Sequence, residues 1–395
     1  MLTLIENGEV YRPEPMGKAS ILFADGLILK VGDISVSAVK AIDADADIID
    51  AKGCIVTPGF LDPHQHLLGG SGEEGFATQT PEITASEVIE AGITTVVGCL
   101  GVDTTMKTLA GLLAKTKALK EEGLNAYMWT GGYNVPPTTI THSVRDDIMF
   151  IEEVIGTGEV AVSDERSTEP EPKEIARVAH DAYIGGMLSK KAGLVHFHVG
   201  KLESRLKLLF TLIEKHDVKA EWLYATHINR SDKLMLEAID LAKKGSYVDL
   251  DTVDEDLVEK LSFYLENGGP KDKLTVSSDA SKTSPGNLYS EIRRCIIDGK
   301  MSIKSILPLV TSNTAEALKL AHKGRIAEAK AADLLVITKD TFELVEVISG
   351  GKRLFRGGKL AFKEQFLDDS NRKIVLKGKK SKSKADRELG RKANA

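Results

Sequence analysis

From residue 54 onward the chain alternates short β-like runs with amphipathic helical stretches, and it does so eight times. The runs are Cys54–Thr57 (leading into PGFLDPH), Ile93–Cys99, Ala126–Thr130, Glu159–Ser163, Leu194–His198, Trp222–His227, Tyr247–Asp249 and Leu274–Asp279. Helical stretches such as Thr104–Glu122, Pro172–Lys190, Leu202–His216 and Ser231–Lys244 lie between them. Strands separated by helices pair in parallel, because the chain must cross back before the next strand begins. Eight such units predict an α/β fold closed on itself, a (β/α)8 TIM-like barrel.

The two ends read differently. SILFADGLILKVG and ADADIIDAKG near the start are short alternating segments broken by turns, and so are GRIAEAKAADLLVITKD and FELVEVISGGKRLFRGGKLAF after residue 323. They predict a small β-sandwich domain formed from both chain ends, residues 1–52 and 324–370, with the barrel, residues 53–323, inserted between. Residues 371–395 read as a basic, disordered tail: ten Lys/Arg fall between Arg372 and Ala395, against Asp386 and Glu388. The net charge of −6 therefore sits on an acidic body, which offers no basic face for nucleic acid. No run approaches the roughly 20 apolar residues of a membrane span. MLTLIENGEV lacks the basic start of a secretory leader. Cys54, Cys99 and Cys295 are an odd, scattered set, each in apolar sequence. They predict reduced core thiols in the cytoplasm rather than a disulfide framework.

Metal-capable side chains sit at the ends of the predicted strands. His64 and His66 follow the first, Glu159 lies on the fourth, and His198, His227 and Asp279 end the fifth, sixth and eighth. Barrel active sites occupy the C-terminal ends of the strands, so these six can converge across more than two hundred positions. Residues two apart on an extended chain point the same way, so both imidazoles of His64-Gln65-His66 can meet one cation. An HxH pair alone is common by chance; here Pro58-Gly59-Phe60-Leu61-Asp62 precedes it. In the HFH of 196–198, His198 is the expected ligand because Gly200 marks the exit from the strand, and His196 is expected to pack. Nitrogen and carboxylate donors suit Zn²⁺, with Mn²⁺ or Co²⁺ also compatible. Four imidazoles and two carboxylates suffice for two metals bridged by a carboxylate and a hydroxide, a pair able to polarise and attack an amide carbonyl. Asp279 can bind metal, take the proton of the attacking hydroxide and return it to the leaving amine. Its SSDASKTSP context also suits a helix N-cap. His142, His180, His216 and His322 read as structural or solvated.

With these residues in view, TPGFLDPHQH resembles the strand-1 motif of the amidohydrolase superfamily. The chain is more closely similar to the isoaspartyl (β-aspartyl) dipeptidases, from the N-terminal segment to about residue 366. HLLGGSGEEG (66–75), TPE (80–82), AGITTVVGCLGVD (91–103), LLAKTKALKEEG (112–123), TGGYNVP (130–136), SDERS (163–167), THINR (226–230) and SSD (277–279) carry the likeness. The resemblance implies a metallo-dipeptidase acting on a small dipeptide, with two Zn²⁺ per chain and a homo-oligomeric assembly. It implies that His64, His66, His198, His227 and Asp279 are metal ligands, with Asp279 also the general base. It further implies that Tyr133 stabilises the oxyanion, Glu73 pairs with the substrate ammonium, and Arg166 and Arg230 clamp its carboxylates, with Ser281 or Thr283 as hydrogen-bonding partners. A β-linked dipeptide carries one ammonium and two carboxylates, so one Glu and two Arg are a complementary set. Each of these charged residues also fits a surface ion pair.

Two positions depart from the family pattern. Many members place a carboxylated lysine four residues before SDxRS, where this chain has Glu159, and no lysine lies between Lys120 and Lys173. Glu159 is therefore expected to bridge the metals without a carboxylated lysine. Val102 stands where relatives often carry a hydroxyl residue. Other amidohydrolase activities, such as dihydroorotase, hydantoinase or N-acyl-amino-acid deacylase, share the HxH and the strand-8 Asp. A non-catalytic assembly protein on the same fold would be expected to have lost ligands that are all present here.

Overall fold

The structure, a computed structural model, describes residues 1–70, 72–253 and 256–371. The first strands are β1 (Thr3–Tyr11), β2 (Pro15–Ala24), β3 (Leu27–Gly32), β4 (Asp47–Asp50) and β5 (Cys54–Pro58). Eight more follow, alternating with helices: β6 (Phe60–Gln65), β7 (Ile93–Gly98), β8 (Asn125–Thr130), β9 (Val154–Val162), β10 (Leu194–Val199), β11 (Leu223–Thr226), β12 (Tyr247–Asp251) and β13 (Leu274–Ser277). The last are β14 (Leu334–Thr338), β15 (Leu344–Ser349), β16 (Lys352–Arg356) and β17 (Lys359–Leu360).

β6 to β13 pair in sequence order, every pair parallel. A bridge between Gln65 and Ala280 brings the first and last of them together, and Asp62 Oδ1 reinforces the seam by accepting the amide of Ser278 at 3.2 Å. The eight-stranded barrel expected from the alternation is thus formed. Every residue of β6, β7, β9, β10 and β12 is buried. Helices cover the barrel outside and side chains fill it inside, which is why these strands read as continuous runs rather than alternating ones.

Strands from both chain ends join in one nine-stranded sheet, in the order β17-β16-β15-β14-β5-β1-β2-β3 with β4 beside β1. Ile5, Val10, Ile21, Phe23, Ile28, Val56, Leu334, Val336 and Ile348 form its own apolar core. Cys54–Thr57, expected as the first barrel strand, belongs to this sheet instead: it pairs antiparallel with β14 and parallel with β1. A short apolar run reads alike in either sheet. The true first barrel strand was hidden by Pro63, which has no amide to donate and coincides with a register break against β7. Gly59 makes the crossing between sheet and barrel, where a Cβ would lie 2.2 Å from Thr94 Oγ1.

The described residues 363–371 fall in a separate unit, in which Phe366–Asp369 is a short helix. Of the basic tail expected over 371–395, all but Asn371 lies outside the described residues. No described helix is long and apolar enough to cross a membrane.

Candidate active site

The six strand-end residues meet around Glu159. Its Oε2 lies 3.4 Å from His64 Nε2, 3.0 Å from His198 Nδ1 and 3.7 Å from His227 Nε2, and its Oε1 lies 3.3 Å from His66 Nε2. Asp279 Oδ1 sits 3.1 Å from His66 Nε2 and 3.5 Å from His64 Nε2. Ligand atoms about 2.0–2.1 Å from a shared tetrahedral cation stand roughly 3.3–3.5 Å apart. Three of the six separations, 3.3, 3.4 and 3.5 Å, fall in that range and the others, 3.0, 3.1 and 3.7 Å, lie just outside it, a spread that suits donors grouped about shared ions.

Hydrogen bonding gives an independent test of that fit. Both ring nitrogens of His64, His227 Nε2 and Glu159 Oε1 are buried without a hydrogen-bond partner. Each such orphan costs about 1–3 kcal/mol in an apolar interior, and divalent cations at the cluster would relieve one ring nitrogen of His64, His227 Nε2 and Glu159 Oε1. Three overlapping groups of potential ligands occur: His64, His66, Cys99 and Glu159; His64, His227 and Asp279; and Glu159, His198 and His227. With Glu159 common to two of them, the residues fit a binuclear centre.

Backbone geometry aims these side chains. His227 and Asp279 adopt left-handed φ of 64° and 46°, rare for non-glycine residues, where their strands give way to loops. Gly158 precedes Glu159, and a Cβ there would lie 2.5 Å from the carbonyl oxygen of His196. Strand β9 thus runs against β10 at a point where only glycine fits. Asp62 fixes the HxH turn by accepting from the His64 amide at 3.2 Å and from Gln65 Nε2 at 2.8 Å. His196 stacks on Trp129 at 5.1 Å and meets the His64 ring edge-on at 4.9 Å. Burial, together with neighbouring His64, holds its pKa well below the usual imidazole value, so it packs as a neutral ring.

A cavity of about 560 Å³ opens beside the cluster, and Glu73, Val102, Tyr133, Arg166, Arg230, Ser281 and Thr283 all line it. Tyr133 Oη lies 2.8 Å from His198 Nδ1. Burial raises its phenol pKa well above 10, and the nearby Glu159 carboxylate adds to the effect. Arg166 donates from Nε and Nη2 to the two oxygens of Asp164, both at 2.8 Å, and from Nη1 to Glu73 Oε1 at 2.7 Å. Arg230 Nη1 donates to the Val199 carbonyl at 2.6 Å. Thr283 Oγ1 is buried without a partner, whereas the Ser281 carbonyl accepts from Thr80 Oγ1 at 2.9 Å. His142, His180, His216 and His322 join none of the ligand groups among the described residues.

Three participants escaped sequence reasoning. Asp251 lies 2.8 Å from His227 Nδ1 and so turns Nε2 inward. The predicted strand stopped at Asp249, whereas β12 runs on to Asp251, on the same face. Asp164 lies inside the SDERS motif and holds both Arg166 and His198, the latter at 3.1 Å. Cys99 is buried as expected, in an apolar cluster with Val97, Trp129 and Ile155, but its Sγ also stands 3.8 Å from His66 Nδ1 and it lines the cavity. Flanking apolar sequence could not reveal a thiol at the end of β7 turned inward.

Comparison with known proteins follows this geometry. The pattern of the Amidohydrolase family matches residues 55–354. The crystal structure of a beta-aspartyl dipeptidase from the thermophilic, keratin-degrading Fervidobacterium islandicum AW-1 superposes with a TM-score of 0.87 at 39% identity, covering 91% of this chain and 98% of that one. The structure of that organism's beta-aspartyl dipeptidase in complex with the β-Asp-Leu dipeptide gives 0.84 at 38% identity, with the same coverage. Among curated sequences, a dihydroorotase of Clostridium acetobutylicum is 33% identical over 138 residues, which is 33% of this chain and only 30% of that protein's length.

Proposed function

The chain belongs to the amidohydrolase family, and from that premise we propose that it hydrolyses the β-linked amide bond of isoaspartyl dipeptides. One observation carries this reading over other amidohydrolase activities. The likeness to the protein solved with β-Asp-Leu extends over 98% of that chain, whereas the likeness to dihydroorotase takes in less than a third of it.

We further propose two zinc ions per chain, held by His64, His66, Glu159, His198, His227 and Asp279, with Glu159 as the shared ligand. When bound, such a pair supplies Lewis acidity toward an amide carbonyl and a water acidified enough to attack near neutral pH. Asp279 receives the proton of the attacking water. Burial works against its charge, but in the metal-free protein the imidazoles of His64, His66 and His227 hold its carboxyl well below the usual range, and in the loaded centre the cations would keep it ionised. It then delivers the proton to the leaving amine. Tyr133, kept protonated by burial, donates to the carbonyl oxygen as negative charge grows there. Arg166 and Arg230 face the cavity as forks for the two substrate carboxylates, Thr283 offers its unsatisfied hydroxyl, Ser281 lines the same wall, and Glu73 takes the ammonium. The proposal extends to a homo-oligomer and to a reducing, cytoplasmic setting in which Cys54, Cys99 and Cys295, all free, stay thiols.

A panel of α- and β-linked aspartyl dipeptides, dihydroorotate, a hydantoin and an N-acyl amino acid, assayed with metal content measured on the same sample, tests the reading. We expect β-Asp-Leu to turn over alone, with about two zinc per chain. Preferential cleavage of dihydroorotate, or equal cleavage of α-Asp-Leu, would overturn it.

A further inference from the structure

Cys99 follows directly on β7, the second barrel strand, at the same rim where the other potential ligands leave theirs. Its amide donates to the Gln65 carbonyl at 2.9 Å, which fastens it to the middle of the His64-Gln65-His66 turn. The side chain is 1% exposed. Its sulfur, an imidazole nitrogen from each of His64 and His66, and a Glu159 oxygen all lie within 4.8 Å of one another. Within this group the His64 nitrogens and Glu159 Oε1 have no hydrogen-bond partner and are fully enclosed. Cys54 and Cys295 enter no such group among the described residues.

From this arrangement we propose that Cys99 is a ligand of the centre, its thiolate completing, with His64, His66 and Glu159, a four-donor site for one of the two cations. The inference rests on the metal reading given above. On binding, the thiol S–H bond breaks, its proton passes to solvent and a sulfur–metal bond forms in place of a bound water, with no change of oxidation state. Sulfur and nitrogen on one tetrahedral zinc stand about 3.6 Å apart, so the group, all within 4.8 Å, has to contract by about 1 Å at most. β7 lies beside β6, which carries His64 and leads into His66, so the thiolate approaches this cation from the strand next to the HxH pair. A soft donor favours zinc and cobalt over manganese.

The test is reconstitution of the full-length apo-protein with Co²⁺, cobalt being counted by elemental analysis on the sample used for spectra. The proposal expects an intense near-ultraviolet thiolate-to-cobalt charge-transfer band. That band should vanish in Cys99→Ser and Cys99→Ala, persist in Cys54→Ser and Cys295→Ser, and be accompanied in the Cys99 variants by cobalt binding weakened by about tenfold or more. Metal loading should also protect Cys99 from alkylation in the wild-type protein, a readout that needs no variant to fold. Bound cobalt without the band overturns the Cys99 assignment and leaves the metal centre standing. Weakened cobalt binding in Cys99→Ser when the wild type shows no band would make the thiol a partner of His66 Nδ1, not a ligand. A protein that takes up no cobalt sinks both readings.

Discussion

The inner wall of the site and its outer wall satisfy their charges in opposite ways. On the inner wall the side chains of His64 and Glu159 are fully buried, and atoms of both lack any hydrogen-bond partner. On the outer wall Glu73 and Arg166 are 39% and 32% exposed and pair with each other at 2.7 Å. An orphaned buried polar atom is expensive and waits for a specific partner. An exposed ion pair is worth about 0–1 kcal/mol and exchanges readily. Cations would thus be fixed by the inner wall before substrate arrives, whereas substrate charges displace contacts that the outer wall already makes.

The largest effect should come from the centre of the inner wall. Glu159→Ala removes the carboxylate common to two ligand groups, and we expect loss of one or both metals with nearly all activity, measured by elemental analysis and β-Asp-Leu turnover. Because the carboxylate is permanent, apo wild-type protein should regain full activity from Zn²⁺ in CO₂-free buffer. A bicarbonate requirement, or two metals retained in the variant, would break the assignment. Tyr133→Phe should come next. It lowers kcat by about 10²–10³, the usual worth of an oxyanion donor, while KM and metal content stay near wild type. Burial holds the phenol protonated beyond pH 10, so wild-type kcat should show no alkaline fall from this group up to that pH. A fall near pH 9 that disappears in Tyr133→Phe would contradict it.

The same contrast explains what the sequence could reveal. Seven of the eight barrel strands were legible, because burial on both faces produces unbroken apolar runs. Phe60–Gln65 was not, since Pro63 and Asp62 disguise a strand whose polar members close the barrel seam. The residues proposed as inner ligands could be read from the predicted strands alone, because strand geometry decides where they point. Outer residues such as Glu73 and Arg166 lie on loops, where spacing fixes nothing, and only motif resemblance pointed to them. Asp251 sits two residues past its predicted strand end, and Cys99 is the last residue of its predicted strand but one past the end of β7, where the direction of a side chain depends on the tertiary turn. Glu73 is a case of another kind. Offered by the sequence both as the partner of a substrate ammonium and as a member of a surface ion pair, it already has the Arg166 cation beside it and is partly exposed.

A smaller effect should come from beneath the inner wall. Asp249 is buried and accepts from Thr226 Oγ1, Thr275 Oγ1 and Ser277 Oγ at 2.8, 2.6 and 2.6 Å, tying β11, β12 and β13 together. Burial raises its pKa from 3.8 to about 6, the three hydroxyls opposing but not cancelling the shift. A carboxyl that keeps its proton longer when folded than when unfolded favours the folded state below the unfolded pKa, and that advantage is lost as pH rises through the folded value. In metal-free protein, therefore, Asp249→Asn should gain stability relative to wild type between pH 4 and pH 6, levelling off above about pH 7, by on the order of 1–3 kcal/mol. Urea midpoints across that range measure it. A difference that is flat with pH would mean the carboxylate is already ionised in the fold.

The smallest effect is the one that most directly tests the contrast. Glu73→Gln removes the exposed member of a pair, but Arg166 does not depend on it: Asp164 grips the same guanidinium through two bonds of 2.8 Å and is itself nearly buried. The arginine should keep its place and its role toward a carboxylate. What is lost is one attraction for the substrate ammonium, already diluted because Glu73 must exchange Arg166 for it in partly solvated surroundings. We expect kcat/KM on β-Asp-Leu to fall by no more than about tenfold, or ~1.4 kcal/mol, almost wholly through KM, with metal content unchanged. Raising the salt should shrink the gap between variant and wild type, because about 1 M salt screens exposed charges over roughly 3 Å. N-acetyl-β-Asp-Leu, which has no ammonium, should distinguish the two proteins least of all. If Glu73→Gln instead cuts kcat a thousandfold at constant KM, the outer wall is as exacting as the inner one. Glu73 would then act on the reacting bond, not on a charge at the far end of the substrate.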